Sequence, residues 1–482
     1  MNLKSLLKRN IKICPNKIAF IQDGESYTYK EIFDKINLIS IKLKKYKIGK
    51  CKKVLILIKN PLLFIIALFS VIFTGGIVIP IYYETGYEKI KLVLKKYDIE
   101  FILADYFDEA LDLNYKETLY KELGQLLLLK NKKNIKKDNS LKGTALILLS
   151  SGTTNLPKAI QLSTESIFCN VFGISKYLKL TSEDKIFLVK SLNHASTIIG
   201  ELFVSIWNRC TVYLTSNMMS ARGIVEVLEK EQITVFFAVP MLLNNILKSK
   251  KIYNADLDSL RIINFYGDKA KTEDIVLLNK ILPKTNLIYS YGLTEASPRV
   301  SYIEKNDLLL KLNSSGKTIE NVSVKIKDKE GNVLKANEIG EIVVVGKNVM
   351  IGYYKDKKRT KKTIKNGELF TGDIGYLAED NLLYVIGRKD NMVISAGRNI
   401  YLEEIEDVLE KHMYVQEALV VNESSENDKF SLIAYVVANE FDEESILNFC
   451  RKNLETYKCP KEIRFVNAFD KTITGKIKRN IS

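Results

Sequence analysis

Histidine is nearly absent from this 482-residue chain, limited to His194 and His412, and the six cysteines form no CxxC pair and no spacing suited to zinc. Neither residue type supplies a metal-ligand set. Free thiols in a reducing cytoplasm are the expected state. Residues 1–10 are basic but carry no apolar stretch and no small-residue cleavage site, so a signal peptide is not expected. Arginine is scarce beside lysine. The net charge of +16 is spread along the whole chain rather than clustered, and no helix-turn-helix or stacking module accompanies it, so a nucleic-acid partner is not expected. Charge is also missing from residues 61–83, a run long enough to suggest a membrane span. Gly75-Gly76 and Pro80 divide that run into a helix over 62–73 and a strand over 77–82, which predicts a buried helix feeding a core strand and no transmembrane segment.

What is present is alternation. Apolar, β-branched runs at 53–58, 101–104, 145–149, 235–239 and 261–266 are separated by helical patterns, the signature of layered α/β architecture with largely parallel sheets. The length is too great for one compact core. Residues 1–387 are expected to form a large N-terminal domain of layered α/β subdomains. Residues 388–482 are expected to form a small mobile α+β domain, with helices over 402–411 and 443–453 and strands over 418–421, 431–438 and 462–466. The short polar junction Arg388-Lys389-Asp390 suits a hinge at Asp390. The basic runs at 130–138 and 355–362 read as solvated surface.

Four clusters carry candidate chemistry. The strand 145–149 runs into Ser150-Ser151-Gly152-Thr153-Thr154-Asn155-Leu156-Pro157-Lys158, a loop of hydroxyls, glycine and one closing cation that suits a triphosphate. It lacks the GxxxxGK[ST] pattern of P-loop proteins, and a polar surface turn is the alternative. In Tyr289-Ser290-Tyr291-Gly292-Leu293-Thr294-Glu295 an aromatic ring can stack on a base and Gly292 allows close backbone approach. Thr294 can hydrogen-bond phosphate or carboxylate, and Glu295 offers a hard oxygen to Mg2+. An ordinary strand-end turn is the alternative there. Asp373, after the turn glycine of Phe370-Thr371-Gly372, suits the two hydroxyls of a ribose. Lys476, in Thr472-Ile473-Thr474-Gly475-Lys476, is by itself a solvated tail charge.

In this order and spacing the chain resembles the adenylate-forming superfamily of acyl-CoA synthetases, nonribosomal-peptide adenylation domains and firefly luciferase. The resemblance runs from Cys14-Pro15-Asn16-Lys17-Ile18-Ala19 and Tyr27-Thr28-Tyr29, through Gly340-Glu341-Ile342 and Gly352-Tyr353-Tyr354, to Gly387-Arg388-Lys389-Asp390, Ser395-Ala396-Gly397-Arg398-Asn399-Ile400-Tyr401 and Gly475-Lys476. It implies an ATP-dependent acid–thiol ligase that makes acyl-AMP and then a thioester. Ser150, Ser151, Gly152, Thr153, Thr154 and Lys158 would wrap the phosphates, Tyr291 would stack on adenine beside Gly267 and Gly292, and Asp373 and Arg388 would bind the ribose. Thr294, Glu295 (with Mg2+) and Lys476 would be catalytic, Lys476 steadying charge on the substrate carboxylate and α-phosphate. His194, Phe237, Val239, Phe265, Tyr266 and Ser290 would line the acid pocket, an aromatic, mostly apolar set that favours an aryl or fatty acid. No aspartate stands at Asn193 or His194 to hold an α-ammonium group. The thiol acceptor is read as coenzyme A, with the phosphopantetheine of an acidic acyl or peptidyl carrier protein as the alternative; a non-catalytic nucleotide sensor is a more distant reading. Asn155 and Ala159 replace glycines of the family loop, and Leu402 and Asp470 stand where prolines are common.

Overall fold

In the computed structural model, residues 2–106, 115–131, 135, 138–150, 157–217, 219–311, 313–395, 398–423, 431–471 and 477–479 are described. The chain divides into two compact units. The first comprises Met1–Leu312, Gly316–Val324 and Val344–Leu369, and the second Asn313–Ser315, Lys325–Val343 and Phe370–Ser482. Compactness therefore gathers residues 325–343 and 370–387 with the C-terminal region, upstream of the polar junction at Arg388.

Unit 1 holds two mixed sheets. In one, the parallel strands Thr144–Ser150, Ile77–Pro80, Lys53–Leu57 and Phe101–Ala104 form the centre, and antiparallel strands flank them. In the other, Asn286–Gly292, Ile262–Tyr266, Val235–Ala238, Lys185–Leu188, Thr211–Leu214 and Ile18–Gln22 run parallel, closed by the antiparallel strands Arg299–Glu304 and Glu25–Thr28. The strands expected from apolar runs match these within a residue or so at each end. One expectation shifts: the strand over 286–288 continues to Gly292, so Tyr289, Ser290 and Tyr291 sit in the sheet rather than in a turn after it.

The uncharged run 61–83 is a helix, Pro61–Thr74, followed by the strand Ile77–Pro80. Asn60 caps the helix by accepting from the Leu63 N–H at 2.9 Å, Pro61 opens it, and Gly75 ends it in a left-handed conformation at φ 85°. Every residue from Leu62 to Phe73 is buried. A helix apolar on all sides is stable only when enclosed, and fourteen residues fall short of a bilayer. Among the described residues no helix is long and apolar enough to cross a membrane.

The period of two in the second sheet decides which side chains face what. Phe236, Ile263 and Phe265 point into a core packed by the helices Ala221–Lys230, Pro240–Lys248 and Thr272–Ile281. Asn264 and Ser290 point to the other face, where both bond the Tyr177 hydroxyl of helix Thr164–Leu178, at 3.2 and 3.3 Å.

Unit 2 carries the sheet Val415–Asn422, Leu432–Ala438 and Glu462–Phe465 with helices Leu402–Leu409 and Glu443–Asn453, around a core that includes Ile400, Ile405, Val420, Ala434 and Ile446. These are the elements expected from the sequence.

Candidate active site

Ligands in open α/β sheets bind at the carboxyl ends of parallel strands. In unit 1 that edge collects most of the expected residues. The phosphate loop leaves the hairpin of Thr144–Ser150 and Lys158–Ser163, in which Ser150 pairs with Lys158. Ser151, Gly152, Thr153, Thr154 and Asn155 lie outside the described residues. The loop's far end is tied down, because the Tyr97 hydroxyl donates to the Pro157 carbonyl at 2.5 Å. Ala159 is buried in the core of the first sheet, and its carbonyl accepts from the Tyr354 N–H at 2.8 Å. Its methyl group therefore fills core space, and the substitution for glycine is accommodated.

At the end of strand Asn286–Gly292 the chain doubles back so tightly that a Cβ on Gly292 would lie 1.9 Å from the Pro298 carbonyl oxygen. Only glycine fits. Two buried asparagines staple the turn that follows: Asn170 donates to the Ala296 carbonyl at 2.9 Å and accepts from the Arg299 N–H at 2.6 Å, while Asn348 donates to the Ala296 and Arg299 carbonyls at 3.2 Å. This fixes Thr294–Ala296, a short 3-10 turn. The Glu295 carboxylate accepts from the Tyr353 hydroxyl at 2.8 Å. Burial and that carboxylate push the Tyr353 hydroxyl well above its usual range, so it remains a donor. Among the described residues no three His, Cys, Asp or Glu side chains gather as a metal site. One protein carboxylate is the donor set expected for Mg2+ that arrives on ATP and is held chiefly by phosphates, so Glu295 fits it. Gly267, at φ 99°, follows strand Ile262–Tyr266, and Val239 lies 3.7 Å from where its Cβ would be.

The residues expected to line the acid pocket separate. Phe265 turns into the helical core, with its ring 5.5 Å from that of Tyr289. Phe237 is wholly buried, and Ser290 accepts from Asn264 at 2.8 Å within the sheet. Tyr266 and His194 meet a group of charges that the motif search missed. Lys190, two residues past strand Lys185–Leu188, pairs with the fully buried Glu201 at 2.5 Å. The Tyr266 hydroxyl donates to Glu201 and accepts from Lys190. The guanidinium of Arg299, 2% exposed, stacks 3.5 Å from the centre of the Tyr266 ring. Burial lowers Lys190 to about 8. Burial, then the Lys190 charge, lowers His194 to about 4, so this imidazole is neutral at physiological pH. Glu201 lies on a π-helical turn, Ile198–Phe203, a geometry frequent at functional sites. A signal was available in the sequence: Glu201 is the single acid in the otherwise uncharged stretch 191–208.

In unit 2, Asp373 and Arg388 face each other on the antiparallel pair Glu368–Leu377 and Leu383–Arg388, with the guanidinium 2.6 Å from the carboxylate. Thr371 orients Asp373: its hydroxyl accepts from the Asp373 N–H at 3.0 Å and donates to the Ile342 carbonyl at 2.7 Å. Asp390 is exposed on the turn Lys389–Asn391. Lys476 lies outside the described residues. On either side of its segment Lys471 bridges Ile477. Arg479 pairs with Glu406 at 2.6 Å and donates to the Val420 carbonyl at 3.1 Å.

Comparison with known proteins agrees with this geometry. The family model described as AMP-binding enzyme matches residues 7–354, and that of the AMP-binding enzyme C-terminal domain matches residues 404–476. A 2-succinylbenzoate–CoA ligase of Listeria innocua is 28% identical over 477 residues, covering 98% of this chain and 97% of that protein. One of Bacillus cytotoxicus is 29% identical over 471 residues, covering 97% and 95%. Among solved structures, o-succinylbenzoate CoA synthetase (MenE) of Bacillus subtilis in complex with its acyl-adenylate intermediate shares the fold at a TM-score of 0.86 and 24% identity, covering 98% of this chain and 97% of that one. ATP-bound MatB of Rhodopseudomonas palustris does so at 0.85 and 19%, covering 99% and 97%. With both its domains matched, the chain belongs to the AMP-binding enzyme family, whose AMP-forming acid–CoA ligases carry out the reaction class expected from its sequence.

Proposed function

We propose that the chain joins an aryl-bearing carboxylic acid of the 2-succinylbenzoate type to coenzyme A through an acyl-adenylate. The observation that carries this reading is likeness along the whole length to 2-succinylbenzoate–CoA ligases, together with an adenylation turn held rigidly at the carboxyl edge of a parallel sheet. The acid's carboxylate attacks the α-phosphorus of MgATP and pyrophosphate leaves. Ser150, Ser151, Gly152, Thr153, Thr154 and Lys158 hold the β- and γ-phosphates, and Tyr291, Gly267 and Gly292 hold the adenine. Asp373 and Arg388 bind the ribose hydroxyls, and Glu295 keeps the magnesium in place. Thr294 and Lys476 neutralise charge that builds on the α-phosphate and carboxylate. No base is required, because the nucleophile is already ionised. Residues 388–482 then swing about Asp390, the thiol of coenzyme A attacks the acyl carbonyl, and AMP leaves. A cytoplasmic setting accords with six cysteines that are all free thiols.

The test is a hydroxamate-release and pyrophosphate-exchange screen of 2-succinylbenzoate, aryl, fatty and amino acids, with mass detection of the coenzyme A thioester. Acid-dependent exchange and a thioester with 2-succinylbenzoate are expected. Absence of exchange with every acid overturns the reading, and exchange followed by transfer only to a carrier protein moves the acceptor to phosphopantetheine.

A further inference from the structure

Arg299 is buried with unmet hydrogen-bonding capacity. Its Nε and Nη2, among the described residues, have no hydrogen-bond partner. These two nitrogens share one edge of the guanidinium, the fork that takes both oxygens of a carboxylate. Stacking on Tyr266 uses the flat face of the group and leaves that edge unused. Glu201 does not fill it: one oxygen is taken by Lys190 and Tyr266, and the other is itself unpartnered. Two cations, Lys190 and Arg299, thus face one carboxylate in a buried setting. Such an excess is costly to leave uncompensated. Gly200 flanks Nη2, which would lie 3.5 Å from a Cβ built there, so no side chain from that position stands over the fork. His194, Lys190 and Tyr266 lie at the carboxyl edge that also carries Gly267 and Thr294.

We infer that Arg299, with Lys190 held in place by Glu201 and Tyr266, is the specificity-determining subsite for a second carboxylate on the substrate acid, distinct from the carboxylate that is adenylated. The inference rests on the ligase reading above and deepens it. The enzyme selects dicarboxylic acids, and the fork of Arg299 binds the group that does not react.

The test compares 2-succinylbenzoate with 4-oxo-4-phenylbutanoate, which keeps the reacting arm and lacks the ring carboxylate. In pyrophosphate exchange the wild-type protein is expected to favour the diacid by about 100-fold in kcat/KM, because an analogue without the anion leaves buried donors unpaired. R299M should reduce that ratio at least tenfold, mainly through KM for the diacid, and R299K should restore part of it. Equal efficiency with the two acids in the wild-type protein overturns the inference and leaves the ligase reading standing, whether or not R299M folds. An unchanged ratio in folded R299M overturns it as well. Exchange with neither acid defeats the ligase reading and the inference together.

Discussion

Two buried ion clusters, one in each unit, differ in sign and in completeness. In unit 1 two cations, Lys190 and Arg299, meet a single carboxylate, and donors on Arg299 go unused. In unit 2 a single cation, Arg479, meets two carboxylates, Glu406 at 2.6 Å and Glu403 at 3.6 Å, and Glu406 also accepts from the Val420 N–H at 2.8 Å. The second cluster closes upon itself and fastens the chain end to helix Leu402–Leu409 and strand Val415–Asn422. The first stays open. A closed cluster positions backbone, here next to the Lys476 segment, whereas an open one holds binding capacity in reserve.

The comparison breaks most sharply if Glu201 is removed. Glu201→Ala strands two buried cations and should cost about 3–5 kcal/mol of stability in urea unfolding; a cost below about 1 kcal/mol would mean the cluster is hydrated and ordinary. Next in size, Lys476→Ala should lower acyl-AMP formation about 10²- to 10³-fold while sparing thioester formation from supplied acyl-AMP. Equal loss of both half-reactions would count against the division of labour. Glu406 sharpens the contrast through pH. Burial raises its carboxyl to about 7, with Arg479 opposing the shift. The folded state therefore holds a proton that the unfolded chain has released, so this contribution is full below the usual carboxylate range, near pH 4.5, and is lost as pH rises to about 7. Unfolding midpoints should fall across that window in the wild-type protein, and Glu406→Gln should flatten the slope. Smallest, Ala159→Gly should cost about 1 kcal/mol, from one lost buried methyl and added backbone freedom, measured as a shifted midpoint.

Much of the fold was legible because its central strands are continuous apolar runs and its buried helix is bracketed by Asn60-Pro61 and Gly75. The motif residues were legible because glycine spacing and hydroxyl content are local. What escaped were properties made by distant contacts. Asn170 and Asn348, 126 and 52 residues from Ala296, look like any surface amide in the sequence. The Lys190, Glu201, Tyr266 and Arg299 cluster is assembled across four elements, and only the lone acid in an apolar stretch hinted at it. Phe265 shows the converse: its neighbour Tyr266 faces the charges, and a one-residue step along a strand turns a side chain to the opposite layer.

The wholly enclosed helix Pro61–Thr74 bears on how the protein is made. During synthesis its fourteen apolar residues emerge long before the strands Thr144–Ser150 and Val235–Ala238 exist. For that interval the nascent chain displays a sticky segment with no partner, the kind of stretch that holdase chaperones grip and that drives inclusion-body formation when they are outrun. Production at low temperature, or with chaperones in excess, is the practical corollary.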